Sequence, residues 1–175
     1  MASSKSLWKR RREIPDPQVR DAAEQYDDAR RLLHEQPPGS GILLPLLNTT
    51  AVVVELFLKS LSSKLVHVPV DDFDGLSRVY AEPKLKNHRL VELLDKIPDD
   101  VRTLLESSFA ADPSFQAEGS LRDTLAKYEG LFEASRYPFE ARFDITKYLL
   151  TPLMALAEFL RTFVANMEPT GRIEW

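Results

Sequence analysis

Two stretches of the chain carry polar groups at spacings that would suit either chemistry or a buried lock. In "NTTAVVVELFLKSLSSKLV", residues 48–66, Asn48, Glu55 and Lys59 interrupt a run of aliphatic residues. In "FEASRYPFEARFD", residues 132–144, Arg136, Tyr137 and Glu140 bring together a guanidinium, a phenol and a carboxylate. A positioned carboxylate or imidazole can move protons, and a guanidinium can hold developing negative charge. The same types would equally serve a core, where a carboxylate withdrawn from water needs a counter-ion.

Other constellations are missing. His34, His67 and His88 fall in separate segments with no second ligand three or four positions away, so no metal is expected. There is no cysteine, which removes disulfides, thiolate ligands and cysteine nucleophiles. No Walker A loop, Gly-x-Gly-x-x-Gly or Gly-x-Ser-x-Gly is present, and no cofactor is expected. Asp71, Asp72 and Asp74 in "DDFDG" lack the spacing and closing Glu of a calcium loop and read as a solvated turn.

The elements that would position these groups read as helices. Residues 48–66 are too long for a strand, and at 100° per residue Asn48, Glu55 and Lys59 share one narrow stripe on an otherwise apolar surface. This is the pattern of a central helix. Before it, Asp16 can cap and Pro17 open a helix with Val19, Ala22, Ala23, Tyr26, Ala29 and Leu33 inward, ended by "QPPGSG". After it, "HVPV" and "RVYAEP" flank a turn and allow a small β-hairpin near 67–83. Asn87 is placed to cap a short helix with Leu90, Leu93, Leu94 and Ile97 inward. Another follows Pro98, with Val101, Leu104, Leu105 and Phe109 inward. Ser120 caps the next, carrying Leu121, Leu125, Tyr128 and Phe132. The last runs through Leu149, Leu153, Leu156, Leu160, Phe163 and Met167, with Pro152 starting or kinking it.

These segments predict an all-α, single-domain helical bundle of five to six helices with less than about a tenth strand. Residues 1–15 read as a flexible basic arm, 16–168 as the bundle and 169–175 as a tail. Of the net charge of −4, residues 1–13 hold +4, so the rest of the chain holds −8. The arm could touch phosphate, while an acidic body disfavours a broad electrostatic grip on nucleic acid. No apolar run of about 18 residues is read, and no signal-type h-region follows the basic start, so no membrane and a cytoplasmic location are expected.

Taken in order, "NTTAVVVELFLKSL", "NHRLVELLDKIPDDVR" and "SRYPFE" before a final amphipathic helix resemble bacterial HEPN-domain proteins. The matching positions are Asn48, Glu55, Leu58-Lys59, His88 with Leu90, Pro98, and Arg136-Tyr137 with Glu140. The resemblance implies an all-α bundle that forms homodimers, with members that are RNases in toxin–antitoxin and defence systems and others that bind nucleotides or are inactive. The RNase members carry an Arg followed by His after four to six residues. After Arg136 those positions are Ala141, Arg142 and Phe143. The resemblance therefore points to a protein that binds RNA, a nucleotide or a partner protein without cleaving. The alternatives are a metal-independent endoribonuclease with Arg136, Glu140, Glu55 or His88 in rearranged roles, and a pure assembly module. The seam of Asn48, Glu55 and Lys59 is expected to face Arg136, Tyr137 and Glu140, either as an internal lock or as a ligand-facing site.

Overall fold

The computed structural model describes residues 10–69, 77–82, 88–142, 144–168 and 170–174. Its core is a single-domain helical bundle built from α1 (Pro17–His34), α2 (Leu43–Ser62), α3 (Leu90–Lys96), α4 (Asp99–Ala111), α5 (Leu121–Lys127), α6 (Leu131–Arg136) and α7 (Leu150–Ala165). Four strands join it: β1 (Arg10–Ile14), β2 (Lys64–Pro69), β3 (Ser77–Glu82) and β4 (Thr170–Glu174). They form one antiparallel sheet in the order β3-β2-β1-β4.

α2 is the central element. Leu46, Leu47, Val53, Val54, Phe57, Leu58 and Leu61 are buried, and its neighbours are α1, α3, α6 and α7. Burial on nearly all sides overrides the strand preference of Val52, Val53 and Val54. By length and composition α2 could cross a membrane, contrary to the expectation that no run was long enough. It carries Glu55 and Lys59, however, and more than half of its apolar window is covered by the fold.

α1 begins as its residues dictate: Asp16 caps it, accepting from Val19 N at 3.0 Å, and Pro17 opens it. Asp16 also donates its backbone N–H to Ser60 O at 2.7 Å, fastening the end of β1 to α2. Gln18 brackets β3, donating to Val79 O and accepting from Ala81 N. Its inward face corrects the sequence reading. Of the α1 residues read as inward, Ala23 is buried but Tyr26 and Ala29 are exposed, and the charged Asp27 and Arg30 are buried in their place.

The hairpin near 67–83 is present as β2 paired with β3; its turn, with Asp71, Asp72 and Asp74, lies outside the described residues, as does Asn87. Two strands were not foreseen. Residues 10–14, read as part of a flexible arm, form the inner strand β1, and residues 170–174, read as tail, form its partner β4. Strand content accordingly exceeds the tenth expected. "RRREI" and "TGRIE" show no alternation of their own, and their hydrogen bonds come from opposite ends of the chain, which local periodicity does not register. Ile14 closes β1 as a fully buried anchor. The helix expected from Ser120 through Phe132 is two helices, because Gly130 takes a left-handed φ of 77° between α5 and α6.

Candidate functional site

The polar stripe of α2 meets α6 and the residues entering α3. Asn48 donates from Nδ2 to Phe132 O at 3.2 Å and to Ser135 Oγ at 3.0 Å. Ser135 Oγ donates onward to Phe132 O. This clasp fixes α6 on α2. Two turns further along α2, Glu55 is only 6 % exposed, yet both of its oxygens are satisfied. Oε1 accepts from Lys59 Nζ at 2.5 Å, the i, i+4 partner on the same helix, and Oε2 lies 2.8 Å from His88 Nδ1. A carboxylate accepts, so Nδ1 carries the hydrogen and Nε2 is the ring nitrogen left for a ligand or a proton.

His88 connects this buried pair to the surface. Its side chain is 45 % exposed, and its ring stacks on Phe132 with centroids 4.3 Å apart and 26° between planes. The Arg136 guanidinium lies over the same Phe132 ring, 5.2 Å from its centroid, and 5.7 Å from that of Tyr137. Guanidinium–aromatic contact of this kind holds the cation in place while leaving its N–H donors available. Tyr137 is 39 % exposed and meets Phe139 edge-on; Phe139 is 81 % exposed. An imidazole, a guanidinium and two exposed rings thus share one patch.

This differs from the expected arrangement. Neither Arg136, Tyr137 nor Glu140 is the partner of Glu55, whose two oxygens are met by Lys59 and His88. Glu140 pairs instead with Arg142 at 2.7 Å. The Pro138 turn ends α6 after Arg136 and carries Glu140 away. Arg136 is therefore not the counter-ion of the buried carboxylate. Ser135 was not singled out from sequence, and Phe132 was read only as an inward helix residue, although both lie at the junction of the site. Their signal was present in the helical spacing of Phe132 and Arg136, four residues apart.

A second charged cluster was missed altogether. Between α1 and α7, Asp27 accepts from Arg30 Nε at 2.7 Å and from Arg31 Nε at 2.8 Å. Arg31 reaches on to Glu158 at 3.1 Å, and Arg161 pairs with Glu158 at 2.5 Å. The hydrogen bond from Arg161, with Arg31 and Arg30 nearby, holds the Glu158 carboxyl below its usual range. Asp27 and Arg30 are both nearly fully buried. Their acceptors and donors face one another, while Arg31, Glu158 and Arg161 carry the network out to the surface, so this cluster reads as a structural tie between α1 and α7. Asp16 stands apart again: fully buried, with Oδ2 unpartnered, its carboxyl is pushed above the ordinary value by burial.

Chemically, the His88 patch offers one group able to carry a proton and one able to hold anionic charge, beside surfaces on which a flat ring can stack. Among the described residues no group of three or more His, Asp or Glu side chains converges as metal ligands would. The chain matches no family model, no curated protein and no solved structure.

Proposed function

We propose that the protein is a HEPN-like helical protein that binds RNA or a nucleotide, without cleaving it, on the patch formed by His88, Phe132, Arg136 and Tyr137. The observation that carries this reading is the packing of an exposed imidazole and an exposed guanidinium on one phenyl ring, flanked by Tyr137 and Phe139. Phosphate would meet Arg136 and His88, and a base would stack on the exposed rings, a combination that serves single-stranded nucleic acid without sequence readout. Glu55, Lys59 and Asn48 position the patch from behind. The cytoplasmic location, the homodimer and a toxin–antitoxin or defence setting belong to the same proposal through the HEPN resemblance.

A second reading, a metal-independent endoribonuclease, is favoured by one observation. His88 reaches the ring that carries Arg136, although it precedes Arg136 by nearly fifty positions in the chain. Cleavage through the ribose 2′-oxygen needs a base and, for the leaving oxygen, an acid. His88 could supply one; Glu55 is buried and doubly bonded, and Glu140 pairs with Arg142, so among the described residues neither carboxylate is left to act as the second group.

The test is fluorescence anisotropy with a labelled single-stranded oligoribonucleotide and with a labelled adenine nucleotide, alongside gel analysis of the RNA in EDTA. Binding that weakens at least about tenfold in Arg136→Ala and Tyr137→Ala, with intact RNA recovered, is expected. Absence of binding to either probe, or affinity unchanged in both variants, would remove this reading. Cleavage lost in His88→Ala would install the second.

A further inference from the structure

A different face of the bundle carries an open groove of about 790 Å³ between α4 and α7. Its floor is apolar. Ala155, Phe159, Phe163 and Met167 follow one another at four-residue intervals along α7 and past its end, facing Val101, Leu104 and Phe115. Phe159 meets Phe109 and Phe115 edge-on, so the floor is a fixed aromatic cluster continuous with the core. Leu104, expected to point inward, is instead 54 % exposed at the groove's lip. The charged residues of the lining are all acidic: Asp100, Asp112, Glu158 and Glu168. Among the described residues no lysine or arginine lines it.

We infer that this groove is a docking site for an amphipathic, basic helix of a partner protein. Shape and charge argue together. The stripe from residue 155 to residue 167 is about 18 Å long at 1.5 Å per residue, the length of some three helical turns. A partner helix with apolar side chains at i, i+3, i+4 and i+7 would bury them on Phe159, Phe163 and Leu104, and lysines on its flanks would meet the carboxylates at the rim. The aromatic floor supplies the large rings that dominate such interfaces. Glu158 is already held by arginines behind it, so the complementary charge comes chiefly from Glu168 and from Asp112, which keeps its charge while accepting from Ser114 N. A second copy of this chain fits poorly, because a two-fold contact would set one acidic rim against another.

The experiment uses three labelled synthetic peptides of about 15 residues. One has a Leu/Phe stripe flanked by lysines, one has the same stripe flanked by glutamates, and one is a scrambled lysine peptide of equal charge. Each is titrated by anisotropy into wild-type protein, Leu104→Lys and Glu168→Gln, all checked for unchanged melting. The lysine helix is expected to bind at least about tenfold tighter than either control, to lose about tenfold in Leu104→Lys, and to lose about twofold to threefold in Glu168→Gln. Equal binding of the glutamate twin, equal binding of the scrambled peptide, or affinity unchanged by Leu104→Lys would each overturn the proposal. So would sedimentation showing that wild type dimerises through this face, with Leu104→Lys making it monomeric.

Discussion

Glu55 and Asp27 are both nearly fully buried carboxylates on neighbouring helices, and both take a cation from their own helix three or four residues on. They differ in what completes the arrangement. Asp27 is met by guanidiniums alone, one buried and one part-exposed, and the network of Arg30, Arg31, Glu158 and Arg161 links two helices. Guanidiniums stay charged across the working pH range, so this cluster has one state. Glu55 is completed by His88, a half-exposed imidazole that also touches the surface ring Phe132. An imidazole can change charge, donate or accept. The same physical need, a counter-ion for a buried carboxylate, yields a closed lock in one place and a positioned surface group in the other.

Substitutions should separate the two along those lines. The largest loss is expected for Asp27→Ala, which strands the buried Arg30 and should cost about 3–5 kcal/mol, read from urea melts. A change under about 1 kcal/mol there would mean that Glu158 and water satisfy Arg30 unaided. Glu55→Leu should cost less, about 1–3 kcal/mol, because Lys59 and His88 both lie close enough to solvent to find water. If Glu55→Leu proved the costlier of the two, the distinction between lock and surface support would be reversed.

Asp16 sharpens the comparison as a buried carboxylate that caps α1 with one oxygen and has the other unpartnered among the described residues. Its folded pKa is raised above 3.8. The native state therefore holds the proton more firmly than the unfolded chain, and stability is lost as pH rises through the folded value. Asp16→Asn keeps an oxygen for Val19 N and stays neutral. It should gain on wild type progressively from pH 3.8 upward and then level off; a difference independent of pH would contradict this. The smallest effect on folding is expected for Arg136→Ala, within about 0.5 kcal/mol of wild type, since its guanidinium is exposed and holds no buried carboxylate.

Much of this was written in local patterns. The Asp16-Pro17 start, the Ser120 cap and the long apolar run of α2 are signals confined to a few turns, and each opened or formed a helix, although the one from Ser120 ends before Gly130 instead of running to Phe132. Glu55 and Lys59 were legible as a pair because they are four residues apart on one helix. What pairs across the chain was not. β1 and β4, the approach of His88 to Glu55, and the α1–α7 cluster depend on the tertiary arrangement. On α1 the burial of Asp27 and Arg30 was hidden because charged side chains suggest solvent until their partner on another helix is known.

The central claim, that His88 and Arg136 together form a ligand-binding patch while the other charged cluster is structural, is tested most directly by NMR. A short single-stranded oligoribonucleotide would be titrated into ¹⁵N-labelled protein while the imidazole nitrogens of His88 and the Nε–H of Arg136, Arg30 and Arg161 are followed. The account requires His88 and Arg136 to shift together and saturably, with the amides of Tyr137 and Phe139, while Arg30 and Arg161 stay still. Saturable shifts confined to Arg161 and the α4–α7 groove, or none at His88 and Arg136, would contradict it.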